Sequence, residues 1–114
     1  VRNCPGISPG VYAYLEKTHE LALMAVDPTA IPGDAPITIV LSGDFAKVAN
    51  KYGSFGLRVT LQDGGCALTS LLVVARALGL DARPAASWPA AAYVDVLSID
   101  ANSEAITSVT EIWS

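Results

Sequence analysis

The sequence predicts an α+β fold: a mixed sheet packed on one long central helix, in a single domain spanning residues 1–114. Three stretches carry that expectation. Val11-Tyr12-Ala13-Tyr14-Leu15-Glu16 alternates large and small side chains rich in β formers, and Leu21-Ala22-Leu23-Met24-Ala25-Val26 answers it after a short turn. Ile37-Thr38-Ile39-Val40-Leu41-Ser42 is apolar on both faces, as a central strand is. Between Leu57 and Leu78, apolar residues at 61, 68, 71, 72 and 75 recur at helical spacing.

The elements follow in order. Residues 1–10 hold Pro5, Gly6, Pro9 and Gly10 and read as a loop or an extended N-terminal arm. The first two strands form a hairpin that turns at Thr18-His19, which places His19 in a turn rather than in a site. Three prolines and a glycine within 27–36 mark a connection with room for a short helix. Asp44 is placed to cap a helix over Phe45–Tyr52, where Phe45, Val48 and Ala49 share one face. Gly53 and Gly56 interrupt it. In the long helix that follows, Val73 and Val74 widen the apolar stripe until little of the circumference is polar. Such a helix is buried, here at a subunit interface. Gly64-Gly65 inside it costs about 1–2 kcal/mol in helix propensity. The pair marks either a kink or the close approach of a flat group or another backbone. Gly79 ends the helix as a C′ glycine. Arg83–Trp88 is extended, Ala90–Leu97 is a short helix, and Ala105–Trp113 is a last strand.

Composition narrows the function. The hydrophobic fraction is 52% and only 16% of residues are charged, against the usual quarter or so. A small domain has much surface to cover, so this excess implies apolar surface buried against a partner in an obligate oligomer. A membrane span is not expected, since no apolar run reaches about 20 residues. Net charge is −4 and the basic residues do not cluster, which leaves nucleic-acid binding without its electrostatic footprint. Cys4 and Cys66 have no metal-type spacing and read as free thiols. With no signal-peptide pattern at the N-terminus, a reducing, cytoplasmic setting follows. There is no glycine-rich phosphate loop and no nucleophile elbow.

The tail of the long helix and the run Gly79-Leu80-Asp81-Ala82-Arg83-Pro84 resemble the flavin-binding turn of the nitroreductase superfamily. The resemblance implies a nitroreductase-like half-fold completed by a partner chain, with FMN as cofactor. It implies that Pro84, Ala85, Ala86 and Ser87 face the flavin ring and that the backbone N–H groups of Ala86 and Ser87 are the best donors to it. Small side chains there let the backbone approach a planar cofactor. Many relatives carry glycine at one or both of the positions of Ala86 and Ser87.

A second set of residues is similar to one branch of that superfamily, the peptide-modifying dehydrogenases of the streptolysin-type azoline oxidases. It comprises Pro9-Gly10-Val11-Tyr12-Ala13-Tyr14, then Asp44-Phe45, Lys51-Tyr52-Gly53 and Gly56-Leu57-Arg58, in that order. The resemblance assigns Lys51 and Tyr52 to proton handling opposite the flavin and lets Arg58 reach the flavin or a partner carboxylate. It covers residues 9–113 of this chain but only the C-terminal half of a full family member. The half without a counterpart holds the flavin phosphate, so a second protein subunit is expected to supply that site, as in two-component cyclodipeptide oxidases.

Three functions compete at this level. The first is a subunit of an FMN-dependent oxidase that removes two electrons and two protons from a peptide-derived substrate. That substrate is an azoline ring oxidised to an azole, or a cyclic dipeptide dehydrogenated at Cα–Cβ. The second is a non-catalytic scaffold or recognition subunit that completes a partner's flavin site. The third is a plain nitro- or quinone reductase using a nicotinamide cofactor, from which the Lys-Tyr order points away. Asp63, on an otherwise apolar helix, is expected to pair with Arg58 or Arg76. Arg83 is expected to lie exposed over its strand.

Overall fold

The computed structural model describes residues 1–114. β1 (Val11–Leu15) and β2 (Glu20–Ala25) form the antiparallel hairpin. His19 adopts a positive φ of 55° in its turn, and its Nδ1 shares a 2.7 Å hydrogen bond with the Tyr14 hydroxyl. A single 3-10 turn at Pro28–Ala30 occupies the proline-rich connection, capped by the Asp27 carboxylate. Then come β3 (Ile37–Asp44), α1 (Phe45–Tyr52), α2 (Gly56–Ala77), β4 (Asp81–Pro84), α3 (Ala90–Val96) and β5 (Glu104–Trp113). Asp44 caps α1 as its position predicts, accepting from the Lys47 N–H at 2.8 Å.

The sheet departs from expectation in three ways. Its order is β3-β5-β4, so β5 is central and β3 lies at an edge. Its pairings are antiparallel throughout, not mixed, because β3 and β4 run the same way but never touch; β5 runs between them. β4 starts two residues earlier than the extended run 83–88 and ends at Pro84. β5 owes its central place to a buried stretch that is partly polar: Ser108, Val109, Thr110 and Ile112 are all buried. A bulge interrupts its pairing with β3, since Leu41 opposes Ser108 while Ser42 opposes Ile106. The extra residue is Thr107, whose hydroxyl donates to the Leu41 carbonyl at 3.2 Å.

Residues 1–10 are not an extended arm either. Pro5-Gly6 makes a tight turn that brings Cys4 and Ile7 into an antiparallel bridge, and Val1 returns to pair with Gly10. The loop is folded back on itself because Pro fixes the first turn position and Gly takes the positive φ at the second.

α2 lies across all three strands. The Gly64-Gly65 pair divides between two roles. A Cβ on Gly64 would stand 2.5 Å from the Thr107 Cβ, so this glycine lets helix and sheet backbones approach. A Cβ on Gly65 would meet nothing within 4 Å.

The core is small. Val11, Ile31, Tyr93 and Val109 form its centre, with Ala85, Trp88 and Val96 among the residues packed around it. Only 12 of 114 residues are buried. A folded monomer of 11.8 kDa exposes about 5,900 Å² by the usual mass scaling, whereas this chain exposes 7413 Å². On α2, Leu57, Leu61, Val73 and Val74 are exposed, as is Leu78 just beyond its end, and only Gly56, Thr60 and Ala75 are buried. The apolar circumference of the helix is thus real, but within this chain most of it is uncovered.

Candidate functional site

The turn after α2 is closed by its own backbone. Gly79, at φ 72°, takes the left-handed C′ position. The Leu80 N–H donates to the Ala75 carbonyl at 2.9 Å and the Gly79 N–H to that of Arg76 at 3.1 Å, the paired bonds of a Schellman motif. This delivers the chain into β4. After Pro84, which has no N–H, the Ala85 N–H donates to the Val109 carbonyl at 2.8 Å. Ala85 and Trp88 then pack on the core. Between these two anchors Ala86 and Ser87 bulge outward, exposed, and their N–H groups find no acceptor within the chain. Two adjacent, unclaimed donors framed by small side chains fit the edge of a flat heterocycle. Of the four residues expected at the ring, Ala86 and Ser87 keep donors to offer. The Ala85 donor is already used and Pro84 has none.

Lys51 and Tyr52 stand at the other end of the molecule's logic. They end α1, which Gly53 terminates with its N–H on the Ala49 carbonyl. Lys51 Nζ lies 5.4 Å from the centroid of the Tyr52 ring. Both side chains are exposed, Tyr52 by 49%, and Phe55 beside them is 60% exposed. Arg58, in the first turn of α2, is exposed and has no ion-pair partner. The corner therefore presents a lysine, a phenol and an aromatic ring to the outside.

The structure does not bring these two groups together. Pro84–Ser87 leaves the β4 edge of the sheet. α1 follows β3 at the opposite edge and meets β5 only near its start, where the Ala46 N–H reaches the Ser103 carbonyl. Two cavities lie elsewhere in the chain, and neither is lined by either group. One, of about 250 Å³, lies where β3 runs into α1, and is lined by Gly43, Asp44, Thr60, Asp63 and Thr107 among others. The other, of about 750 Å³, opens between the hairpin and β3; nothing in the local sequence pattern marks it, since it arises from how distant strands are placed.

Charged residues add little to either group. Asp63 pairs with neither Arg58 nor Arg76. The chain's one ion pair joins Arg83 and Asp81 at 2.5 Å. That hydrogen bond and charge hold the Arg83 guanidinium pKa above its ordinary value. Arg83 also lies 5.6 Å from the centroid of the Trp113 ring, exposed over its strand as expected. Cys4 and Cys66 are free thiols, Cys66 exposed on α2. No helix is long and apolar enough to cross a membrane.

A hairpin, a long helix closed by a left-handed glycine and an edge strand leading to unclaimed backbone donors are now in place. A family model described as the nitroreductase family matches residues 14–110. The chain belongs to the nitroreductase family. Members of this family are oxidoreductases that generally use a flavin. A nitroreductase homologue of Methanocaldococcus jannaschii is 29% identical over 92 residues, which cover 70% of this chain and 46% of that protein. A chain of the E. coli microcin synthetase McbBCD complex, solved with truncated pro-MccB17 bound, superimposes with a TM-score of 0.80 at 22% identity. That match covers 94% of this chain and 45% of the other. It establishes a shared nitroreductase-like fold. The chain spans about half the length of the relatives it matches.

Proposed function

We propose that this nitroreductase-family chain is one subunit of an FMN-dependent oxidase acting on a peptide-derived substrate. The reaction takes two electrons and two protons from an azoline ring or from the Cα–Cβ bond of a cyclic dipeptide. One observation carries the reading: the paired, unclaimed N–H groups of Ala86 and Ser87 on a turn that small residues keep open. Bound FMN would supply hydride acceptance, with oxygen as the final acceptor. The chain's own contribution is twofold. Ala86 and Ser87 orient the ring edge through backbone hydrogen bonds. Lys51 or Tyr52 takes the proton released when the substrate C–H bond opposite breaks.

The ring edge fits these residues, but the phosphate does not. Arg2 is committed to the Ala35 and Ile31 carbonyls and the Thr38 hydroxyl, and Arg83 to Asp81. The remaining basic residues are scattered. A second polypeptide is therefore assigned the phosphate site. With two copies of this chain in the assembly, the Lys51-Tyr52 corner of one copy would face the Ala86-Ser87 turn of the other. The relative solved as a synthetase complex with a peptide bound supports both the partner and the substrate class.

The competing scaffold reading draws on one feature, the exposed and unassembled state of Lys51 and Tyr52. The two readings separate in one experiment. The chain is purified alone and together with the product of its neighbouring gene, and each sample is examined for the yellow absorbance of oxidised flavin. Colour in the mixture supports the shared site; two colourless samples sink it. Full turnover after replacing both Lys51 and Tyr52 assigns the chain to the scaffold role instead.

A further inference from the structure

Two buried hydroxyls stand without a partner on the central strand. Ser108 is 4% exposed and Thr110 wholly buried, yet neither Ser108 Oγ nor Thr110 Oγ1 makes a hydrogen bond. Burying an unpaired hydroxyl costs stability that an apolar residue of the same shape would keep. Most buried polar side chains are paired, so an unpaired one calls for a reason. Neither residue lines either cavity.

Register ties both to the turn that follows β4. Thr110 lies directly opposite Pro84. One step on, the Ala85 N–H donates to the Val109 carbonyl at 2.8 Å. The next step brings Ala86 to the level of Ser108. Val109 packs in the core, so alternation puts Ser108 and Thr110 together on the opposite face of β5. Two unpaired hydroxyls thus stand behind a turn whose two N–H groups are also unclaimed.

The peptide planes tell the two hydroxyls apart. In a trans peptide the carbonyl and the N–H point in opposite directions, and every peptide in this chain is trans. The plane joining Pro84 to Ala85 turns its N–H towards β5. Its carbonyl therefore points away, and Thr110 gains no acceptor from it. The plane joining Ala86 to Ser87 is free to do the reverse, since its N–H donates to nothing and its carbonyl accepts from nothing within the chain. When the Ser87 N–H points outward to a ring edge, the Ala86 carbonyl points back towards β5 at the level of Ser108.

We propose that Ser108 is a positioning residue for the ring-facing turn: its hydroxyl donates to the Ala86 carbonyl when the Ser87 N–H is engaged by a flat ring edge. The inference rests on the reading of Ala86 and Ser87 as flavin-edge donors and adds what aims them. A hydrogen bond to a peptide carbonyl polarises that peptide and strengthens its N–H as a donor. In the unliganded chain the unpaired hydroxyl is stability given up for the site. Thr110 suits a central strand through its β-branched shape whatever its hydroxyl does; serine has no such advantage. Thr110 is therefore the control: equally buried and unpaired, but behind a peptide that is already bonded.

The test compares the parent, Ser108→Ala and Thr110→Val, each alone and in complex with the product of the neighbouring gene. Alone, both variants are expected to unfold at higher urea than the parent, because each removes an unpaired hydroxyl. In the complex, FMN titration should show affinity about tenfold weaker for Ser108→Ala and unchanged for Thr110→Val. Adding FMN should shift the Ser87 amide nitrogen resonance in the parent and in Thr110→Val, and shift it much less in Ser108→Ala. Equal affinities and equal Ser87 shifts in all three complexes overturn the proposal and leave the flavin reading standing. So does an equal loss in both variants, which marks a general loosening of β5. A lower urea midpoint for Ser108→Ala overturns it too, since the hydroxyl would then already be paired in the isolated chain. A parent complex that takes up no FMN overturns the flavin reading and this proposal with it.

Discussion

The Gly79–Trp88 turn and the Lys51–Arg58 corner differ in how much of their bonding is closed within the chain. The turn is held from both sides: Schellman bonds fix its entry, the Ala85–Val109 bond and the packing of Trp88 fix its exit, and only two donors are left over. At the corner the backbone is fixed by Asp44 and Gly53, but the side chains are exposed, and Lys51 and Tyr52 have only each other as partners. A group held this way can position a cofactor by itself. Exposed side chains acquire a defined geometry only when something covers them. Half of the proposed site is built within this chain, and the other half is only displayed.

The largest expected effect tests the displayed half. Lys51→Met and Tyr52→Phe should leave unfolding free energy within about 0.5 kcal/mol of the parent, since both side chains are exposed. Turnover of the assembled enzyme should fall about a hundredfold or more if either moves the proton. Unfolding curves and steady-state rates on the same variants decide it, and an unchanged rate in both removes the corner from the chemistry.

Smaller effects separate closed from open positions on α2. Gly64→Ala drives a methyl into Thr107 and should destabilise by about 1–3 kcal/mol. Gly65→Ala meets open space and should stabilise the isolated chain by up to about 1 kcal/mol through helix propensity. Urea unfolding of the two neighbours should therefore give opposite signs; the same sign for both would mean that α2 does not sit on β5 as described. Gly79→Ala forces a side chain into the left-handed region at a cost of about 1–2 kcal/mol. If the turn is the flavin edge, flavin affinity of the complex drops with it, by equilibrium titration.

Local signals were largely legible in the sequence. Asp44 announced a cap, Gly79 a helix end, and the periodicities gave the hairpin and both principal helices. Family resemblance, not periodicity, pointed to residues 84–87, and the structure explains why only Ala86 and Ser87 have donors to spare. What the sequence hid depends on distant pairing. Ile37–Leu41 looks like a central strand because a strand apolar on both faces reads the same at the centre as at an uncovered edge. Ser108 and Thr110 disguised the true central strand, and no local pattern announces that Thr107 is the extra residue of a bulge. Asp63 lacks its expected partner because ion pairs between exposed helix residues contribute too little to fix side chains.

The two outer edges of the β3-β5-β4 sheet are defended unequally. β4 ends in proline and carries the exposed Asp81 and Arg83 charges, devices that keep an edge from recruiting strands. β3 has no charge from Ile37 to Gly43 and no proline within it. In a test tube this asymmetry sets the direction of failure. An isolated chain held at high concentration should stick to its copies through β3, building ordered aggregates from one side of the sheet while the other stays inert.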